Sequence, residues 1–146
     1  MKAKVCIVDT NIIVAGLIST GSHSPPGRIL DAMLDGNLIY LMSPELLYEY
    51  AAVLQRPRVS RQHGLTSSEI DIILAELVAN AIWREPVITS VAPDPGDNHL
   101  WALLLLEPGS QLVTGDQLLL ECPPDEASVI SARNFVDLFL APEPSR

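Results

Sequence analysis

The chain has 146 residues and carries 18 Asp and Glu against 9 Lys and Arg, so its formal net charge is −9. This length suits a single domain, and a hydrophobic content of 48% excludes a disordered chain. Two cysteines, Cys6 and Cys122, are too few for a disulfide framework or a cysteine-based metal cluster. The acidic balance argues against a protein that binds nucleic acid through a generic basic surface.

The sequence shows no convincing export or membrane signal. The apolar run Val5–Val8 is stopped by Asp9 and Asn11, too soon for the hydrophobic region of a signal peptide. The longest unbroken apolar run, Leu100–Leu106, has seven residues, far fewer than the ~20 that span a bilayer. We therefore expect a cytoplasmic protein with no membrane partner.

Apolar runs and helical patterns alternate in the first third of the chain. Val5–Val8 is predicted to be a strand buried on both faces, and a helix is expected over Ile12–Ile18. A second helix, Arg28–Asp35, is predicted to end where Gly36 adopts a left-handed conformation. Leu38–Met42 is predicted to be the second buried strand.

Helix-start signals organise the middle of the chain. Ser43 is predicted to cap a helix that runs to about Gln55. Thr66 begins a capping box that opens a helix over Glu69–Ile82. A third, weaker strand is predicted at Val87–Thr89, before a loop rich in proline and glycine.

The last third continues the alternation. A helix that is apolar on all sides, His99–Glu107, is followed by a strand at Gln111–Val113 and by a short helix. The last predicted elements are a strand at Ser128–Ser131 and a helix at Ala132–Leu140.

This alternation with short connections predicts an α/β fold. We expect a three-layer α/β/α sandwich with a mostly parallel central sheet. No repeat or linker divides the chain, so residues 1–140 are predicted to form one domain and residues 141–146 a flexible C-terminal tail.

Four acidic residues are predicted to lie where a parallel sheet binds its ligands, at the carboxyl ends of the strands. Asp9 follows the first strand and Asp116 follows the Gln111–Val113 strand. Asp97 begins the helix that leads into that strand, and Glu49 lies one turn into its helix. Each also has a plain alternative role, because aspartate is a preferred helix cap and a helical glutamate is usually solvated.

The charges of these acids indicate a cation. Four carboxylates within a few ångströms repel one another unless protons or cations compensate them. A site made only of oxygen ligands suits Mg²⁺ or Mn²⁺ rather than zinc. Glu45 lies one turn from Glu49, and spacing alone does not decide which of the two faces the site.

Five segments match, in order and at compatible spacing, the motifs of a known family. The segments are Asp9–Ile12 after the first strand, Ser43–Glu49 with Val53–Pro57, Asp94–Asn98, Val113–Asp116 with Leu118-Leu119, and Asn134-Phe135. Together they resemble the PIN domain (PilT N-terminus) nucleases over residues 3 to about 139. Within that family they are similar to the branch of toxin components of bacterial type II toxin–antitoxin systems.

The resemblance implies a PIN-like fold and a metal-dependent endoribonuclease that hydrolyses RNA phosphodiester bonds with Mg²⁺ or Mn²⁺. A cognate antitoxin protein is the implied partner. The implied catalytic and metal-binding residues are Asp9, Glu49, Asp97 and Asp116, with Asn11 and Thr114 as polar supports.

Two departures from the family pattern keep alternatives open. Gln117-Leu118 replaces a basic-acidic pair, which leaves a catalytically weak binding module with the PIN fold as an alternative. Tyr50 stands where the branch has leucine. An aspartate-dependent phosphatase is a further alternative. Its chemistry needs a second aspartate two residues after the first and a lysine near the later acids. Here that second position is Asn11, and the only lysines are Lys2 and Lys4.

The remaining signals concern RNA, histidine and self-association. Arg56, Arg58 and Arg61 follow the Glu49 helix, either as a solvated loop or as contacts to the RNA backbone. His99 lies about 200° around its helix from Asp97, which predicts a core or surface role. The apolar surfaces of the first helix and of the His99 helix lead us to expect a homodimer.

Overall fold

A computed structural model of the chain describes residues 4–19, 24–87, 92, 95–121 and 128–140. Within these residues, five strands form one sheet in the order β3-β2-β1-β4-β5, and every neighbouring pair is parallel. The strands are β1 Val5–Val8, β2 Ile39–Met42, β3 Ile82–Trp83, β4 Gln111–Val113 and β5 Ser128–Ile130. The predicted α/β fold with a parallel central sheet is confirmed.

Helices flank this sheet. They are α1 Thr10–Ile18, α2 Pro25–Leu34, α3 Pro44–Leu54, α4 Pro57–His63, α5 Ser67–Ala79, α6 Asn98–Leu106, α7 Gln117–Glu121 and α8 Ala132–Phe139, with a 3₁₀ turn at Pro95–Asp97. Parallel strands require crossover connections, and these helices supply them. None of the described helices is long and apolar enough to cross a membrane.

The predicted helix boundaries rest on side-chain caps that the structure contains. The Ser43 hydroxyl accepts a hydrogen bond from the Leu46 N–H at 3.2 Å and begins α3. Thr66 and Glu69 form both hydrogen bonds of the capping box that begins α5. Gly36 follows α2 with a φ of 76°, the left-handed conformation that the sequence predicted there.

The third strand lies earlier than predicted, and α5 is shorter. The predicted helix Glu69–Ile82 stops at Ala79, and Ile82–Trp83 pairs with β2 as strand β3. Asn80 stands at the C-terminal end of α5, where its side-chain amide donates to the Met33 and Leu34 carbonyls at the end of α2, at 3.0 and 3.1 Å. The prediction of a strand at 87–89 was therefore wrong at residue 87; residues 88–89 lie outside the described residues.

The basic segment after α3 is a helix, which corrects the prediction of a loop. Pro57 ends α3 as predicted, but it also occupies the first turn of α4, where the missing N–H of proline is not needed. Gly64 ends this helix in the left-handed conformation with a φ of 70°. Arg58 and Arg61 are therefore presented from a helix and not from an irregular segment.

Tyr50 connects α3 to the central strand. Its side chain is fully buried, and its hydroxyl donates a hydrogen bond to the Val8 carbonyl at the end of β1. Burial raises the pKa of Tyr50 well above its ordinary value, so the hydroxyl keeps the proton that it donates. Tyr50 stands where the family pattern has leucine. Its hydrogen bond thus fixes the position of α3 relative to the end of β1.

We predict that Tyr50→Phe lowers the free energy of unfolding by about 1–3 kcal/mol, because a buried carbonyl loses its donor. Urea denaturation of the purified protein measures this change. Tyr48→Phe is the matched control: Tyr48 is 76% exposed on the same helix and should unfold like the wild type. Equal stability of the two variants would contradict the anchoring role of Tyr50.

Candidate active site

The order of the sheet creates a crevice between β1 and β4. The chain moves from β1 outward through β2 and β3, then returns to the other side of β1 for β4 and β5. Ligands of open α/β sheets bind at such a switch point, beyond the carboxyl ends of the strands. Asp9 directly follows β1 there, and Thr114 directly follows β4.

Asp9 is a buried carboxylate with two close donors. Its side chain is 6% exposed, and its Oδ1 accepts from the Thr10 N–H at 2.8 Å. Its Oδ2 accepts from the Thr114 hydroxyl at 2.7 Å. Burial raises the pKa of Asp9 above its ordinary value. The hydrogen bonds from Thr114 and Thr10 oppose this rise in pKa, whereas the negative charges of Glu49 and Asp116 add to it.

Asn11 and Thr114 connect the start of α1 to the loop after β4. The Asn11 amide nitrogen lies 3.4 Å from Asp9 Oδ2 and 3.4 Å from Thr114 Oγ1, and its oxygen accepts from the Gly115 N–H at 3.0 Å. Thr114 Oγ1 in turn accepts from the Asp116 N–H at 3.0 Å. Asn11 and Thr114 therefore both contact Asp9, and Thr114 also contacts the backbone of Asp116.

One cavity of about 630 Å³ collects the acids that the sequence pointed to. Its lining includes Asp9, Glu49, Asp97 and Asp116, which come from four separate parts of the chain. Glu45 is exposed and does not line it, so the structure resolves which glutamate of α3 faces the crevice. The cavity also contains Asn11, Arg56 and a wall of small and apolar side chains from α1 and α3.

The role of a simple helix cap explains some of these acids but not all. Asp116 Oδ1 accepts from the Leu118 N–H at 2.9 Å, so Asp116 does cap α7. Asp97 stands at the N-cap position of α6, yet its side chain makes no capping hydrogen bond there. The capping hydrogen bond that the sequence offered as an alternative role is therefore absent for Asp97, which lines the cavity.

The four acids have the oxygen chemistry of a Mg²⁺ or Mn²⁺ site. Their arrangement is more open than a coordination sphere: within the described ranges, no three His, Cys, Asp or Glu side chains are grouped to hold an ion. Asp9 and Asp116 each have a donor from the protein, as given above. The donor set fits a divalent cation in its chemistry and charge.

His99 is the residue of this site that sequence reasoning missed. Its Nε2 lies 3.0 Å from Glu49 Oε1, so α6 reaches the glutamate of α3. Spacing along α6 predicts only how His99 is placed relative to nearby residues of the chain, such as Asp97. The contact with Glu49 depends on how two helices pack, and no signal in the sequence reports that.

The three arginines of the basic segment differ in their placement. Arg56 lines the cavity, whereas Arg58 and Arg61 are exposed on α4. His63, beside them in sequence, serves the backbone: its Nε2 contacts the Leu54 carbonyl at 2.9 Å and its Nδ1 accepts from the Leu65 N–H at 3.0 Å. Asp94, part of the resemblance to the family, lies outside the described residues.

The parallel sheet and the carboxylates around its switch point define an α/β domain with an acidic site. The chain matches the PIN domain family over residues 5–118 and therefore belongs to that family, whose fold is of the nuclease type. An uncharacterized protein of Methanocaldococcus jannaschii is 26% identical over 135 residues, covering 92% of this chain and 84% of the relative. The matched range includes all four cavity acids.

We predict that Asp9→Asn stabilises the metal-free protein at neutral pH. The raised pKa of Asp9 means that the folded state binds its proton more tightly than the unfolded state. Stability from this group is therefore greatest at low pH and is lost as pH rises through the folded pKa. Asparagine carries no charge at any pH, so the advantage of the variant should shrink as the solution is acidified.

Urea denaturation in EDTA across a pH series measures this difference between variant and wild type. Asp137→Asn, an exposed position on α8, is the control and should change little. A variant less stable than the wild type at neutral pH would show that the hydrogen bonds of Asp9 outweigh its burial.

Proposed function

We propose that this PIN domain is a metal-dependent endoribonuclease that hydrolyses RNA phosphodiester bonds with Mg²⁺ or Mn²⁺. The observation that carries the proposal is the convergence of Asp9, Glu49, Asp97 and Asp116 on one cavity at the switch point. The raised pKa of Asp9 supports it: burial is the main cause, the negative charges of Glu49 and Asp116 add to it, and a bound cation would offset both. Membership in a family of nucleases supports the reaction class.

The four carboxylates would hold the cation, and their neighbours prepare them for it. A bound divalent ion supplies Lewis-acid activation of water and neutralises charge on a phosphodiester. Thr114 and Asn11 orient Asp9, and the Leu118 N–H orients Asp116. No side-chain nucleophile is needed, which agrees with the burial of Cys6 inside β1 and a pKa raised by that burial to about 12.

The positive charge for the substrate comes from few residues. With a net charge of −9, the chain has no excess of cations to attract RNA. Arg56 inside the cavity and Arg58 and Arg61 on α4 are the groups that we assign to the RNA backbone. The metal and these arginines together would balance the phosphates beside the carboxylates.

The biological role that we propose is that of the toxin in a toxin–antitoxin pair, with a cognate antitoxin protein as partner. The motif resemblance to that branch of the family supports this role. We also propose a homodimer, supported by the exposed leucines Leu105 and Leu106 at the end of α6.

We predict that the protein cleaves RNA in Mn²⁺ or Mg²⁺, that EDTA abolishes cleavage, and that Glu49→Gln and Asp116→Asn each reduce it more than about 100-fold. Residues that only support metal ligands already account for about 10–100-fold effects, so the ligands themselves should exceed that range. Cleavage of a labelled RNA followed by gel electrophoresis measures this, and calorimetric Mn²⁺ titration measures binding.

Glu45→Gln is the matched control, since Glu45 is exposed one turn before Glu49 on α3. It should cleave like the wild type. If Asp116→Asn cleaves RNA as well as the wild type does, the assignment of the site is wrong. Carboxylate-dependent Mn²⁺ binding without any cleavage would favour the alternative of a catalytically weak binding module.

We predict that the double variant Arg58→Ala, Arg61→Ala weakens RNA binding and flattens its salt dependence. Two lost phosphate contacts should reduce the slope of log K against log salt by about 1.4, roughly 0.7 for each contact on a single strand. Binding is measured in an Asp116→Asn background at several salt concentrations. Arg133→Ala, an exposed residue on α8, should leave the slope unchanged. An unaltered slope in the double variant would exclude α4 as the RNA contact.

A further inference from the structure

The contact between His99 and Glu49 joins two helices across the edge of the cavity. His99 Nε2 lies 3.0 Å from Glu49 Oε1, within hydrogen-bond distance. The side chain of His99 is 11% exposed, while that of Glu49 is 36% exposed. The ring is therefore shielded from water, and the carboxylate is open toward the cavity that it lines.

The partners of the two ring nitrogens indicate the tautomer of His99. A carboxylate only accepts hydrogen bonds, so the nitrogen that faces Glu49 carries the hydrogen. Nδ1 is buried and has no hydrogen-bond partner among the described residues. Of the two neutral tautomers, the one with hydrogen on Nδ1 would bury an unpaired donor and face Glu49 with a lone pair. The Nε2–H tautomer avoids both.

His99 is a rigid donor because the helix that carries it is fixed in the core. His99 is followed in α6 by Leu100 and Trp101, which are buried. On the opposite side, Tyr50 fixes the backbone of α3 next to Glu49 through its hydrogen bond to the Val8 carbonyl. Tyr50, the next residue on α3, thus sets the backbone position of Glu49. His99 on α6 sets the direction of its carboxylate.

We propose that His99 is a positioning residue that aims the Glu49 carboxylate into the cavity; this rests on the proposed function, in which Glu49 binds the cation. Oε1 accepts from the His99 ring, and Glu49 lines the cavity. One oxygen is thus used for orientation, which leaves the other to bind the cation. Carboxylates that bind metals are commonly held in this way by an outer hydrogen bond.

The test compares two replacements of His99 by Mn²⁺ calorimetry at fixed pH. His99→Leu keeps apolar bulk but removes the donor, and Mn²⁺ affinity should fall about 10–100-fold. His99→Gln keeps a neutral N–H donor and should recover most of the wild-type affinity. In a Glu49→Gln background, His99→Leu should weaken affinity no further. Urea denaturation confirms that each variant is folded.

Three results would overturn the positioning role: unchanged affinity in His99→Leu, equal losses in the leucine and glutamine variants, or a full additional loss in the Glu49→Gln background. Equal losses would mean that the ring acts by packing and not by its donor.

A readout without metal separates this proposal from the proposed function. Nitrogen-15 NMR of the imidazole should show a hydrogen-bonded Nε2–H of His99 in the wild type, and the shift that this hydrogen bond causes should be lost in Glu49→Ala. If the wild type binds no Mn²⁺ but the Nε2–H signal changes on removal of the Glu49 carboxylate, the proposed function fails and the positioning contact stands. An Nε2–H signal that is the same in Glu49→Ala overturns the contact itself.

Discussion

Parallel pairing of β1 with both β2 and β4 is the constraint on which the site depends. Parallel neighbours have all their carboxyl ends at one edge, and the crossovers between them return helix starts to that same edge. With β1 in the centre, the connections run in opposite directions on its two sides and leave a crevice between them. Residues far apart in the chain therefore reach one cavity because strand order puts them there, and not because of any direct attraction among them.

The carboxylates in that crevice oppose folding electrostatically. Burial raises the pKa of Asp9, and Glu49 and Asp116 raise it further. A chain selected only for stability would not bury the Asp9 carboxylate beside two other carboxylates, since an apolar or amide side chain would serve there better. The net charge of −9 gives the same indication for the whole protein, because a surface with this charge does not by itself attract phosphates. Both features agree with the cation that we propose for this site.

Three of these carboxylates have a hydrogen-bond partner from the protein. Thr114 at the end of β4 holds Asp9, the N-terminal turn of α7 holds Asp116, and His99 on α6 holds Glu49. Tyr50 adds a backbone anchor between α3 and β1. Such cross-links fix carboxylates that would otherwise turn toward water or away from one another, and fixed donors and acceptors are what a site needs in order to bind an ion without reorganising.

Much of the secondary structure of this protein can be predicted from its sequence by local chemistry alone. The strands β1, β2 and β4, the caps at Ser43 and Thr66, and the left-handed Gly36 follow from apolar runs and backbone preferences that act over a few residues. The expectation of a parallel sheet then indicated that the acids would gather at the carboxyl ends of the strands. Only the tertiary structure decided that Asn80 bonds to the end of α2 and that Ile82–Trp83 pairs with β2. It also decided that Glu49 and not Glu45 faces the cavity, and that His99 reaches Glu49. These depend on the packing of elements distant in the chain, and local patterns carry no information about distances between helices.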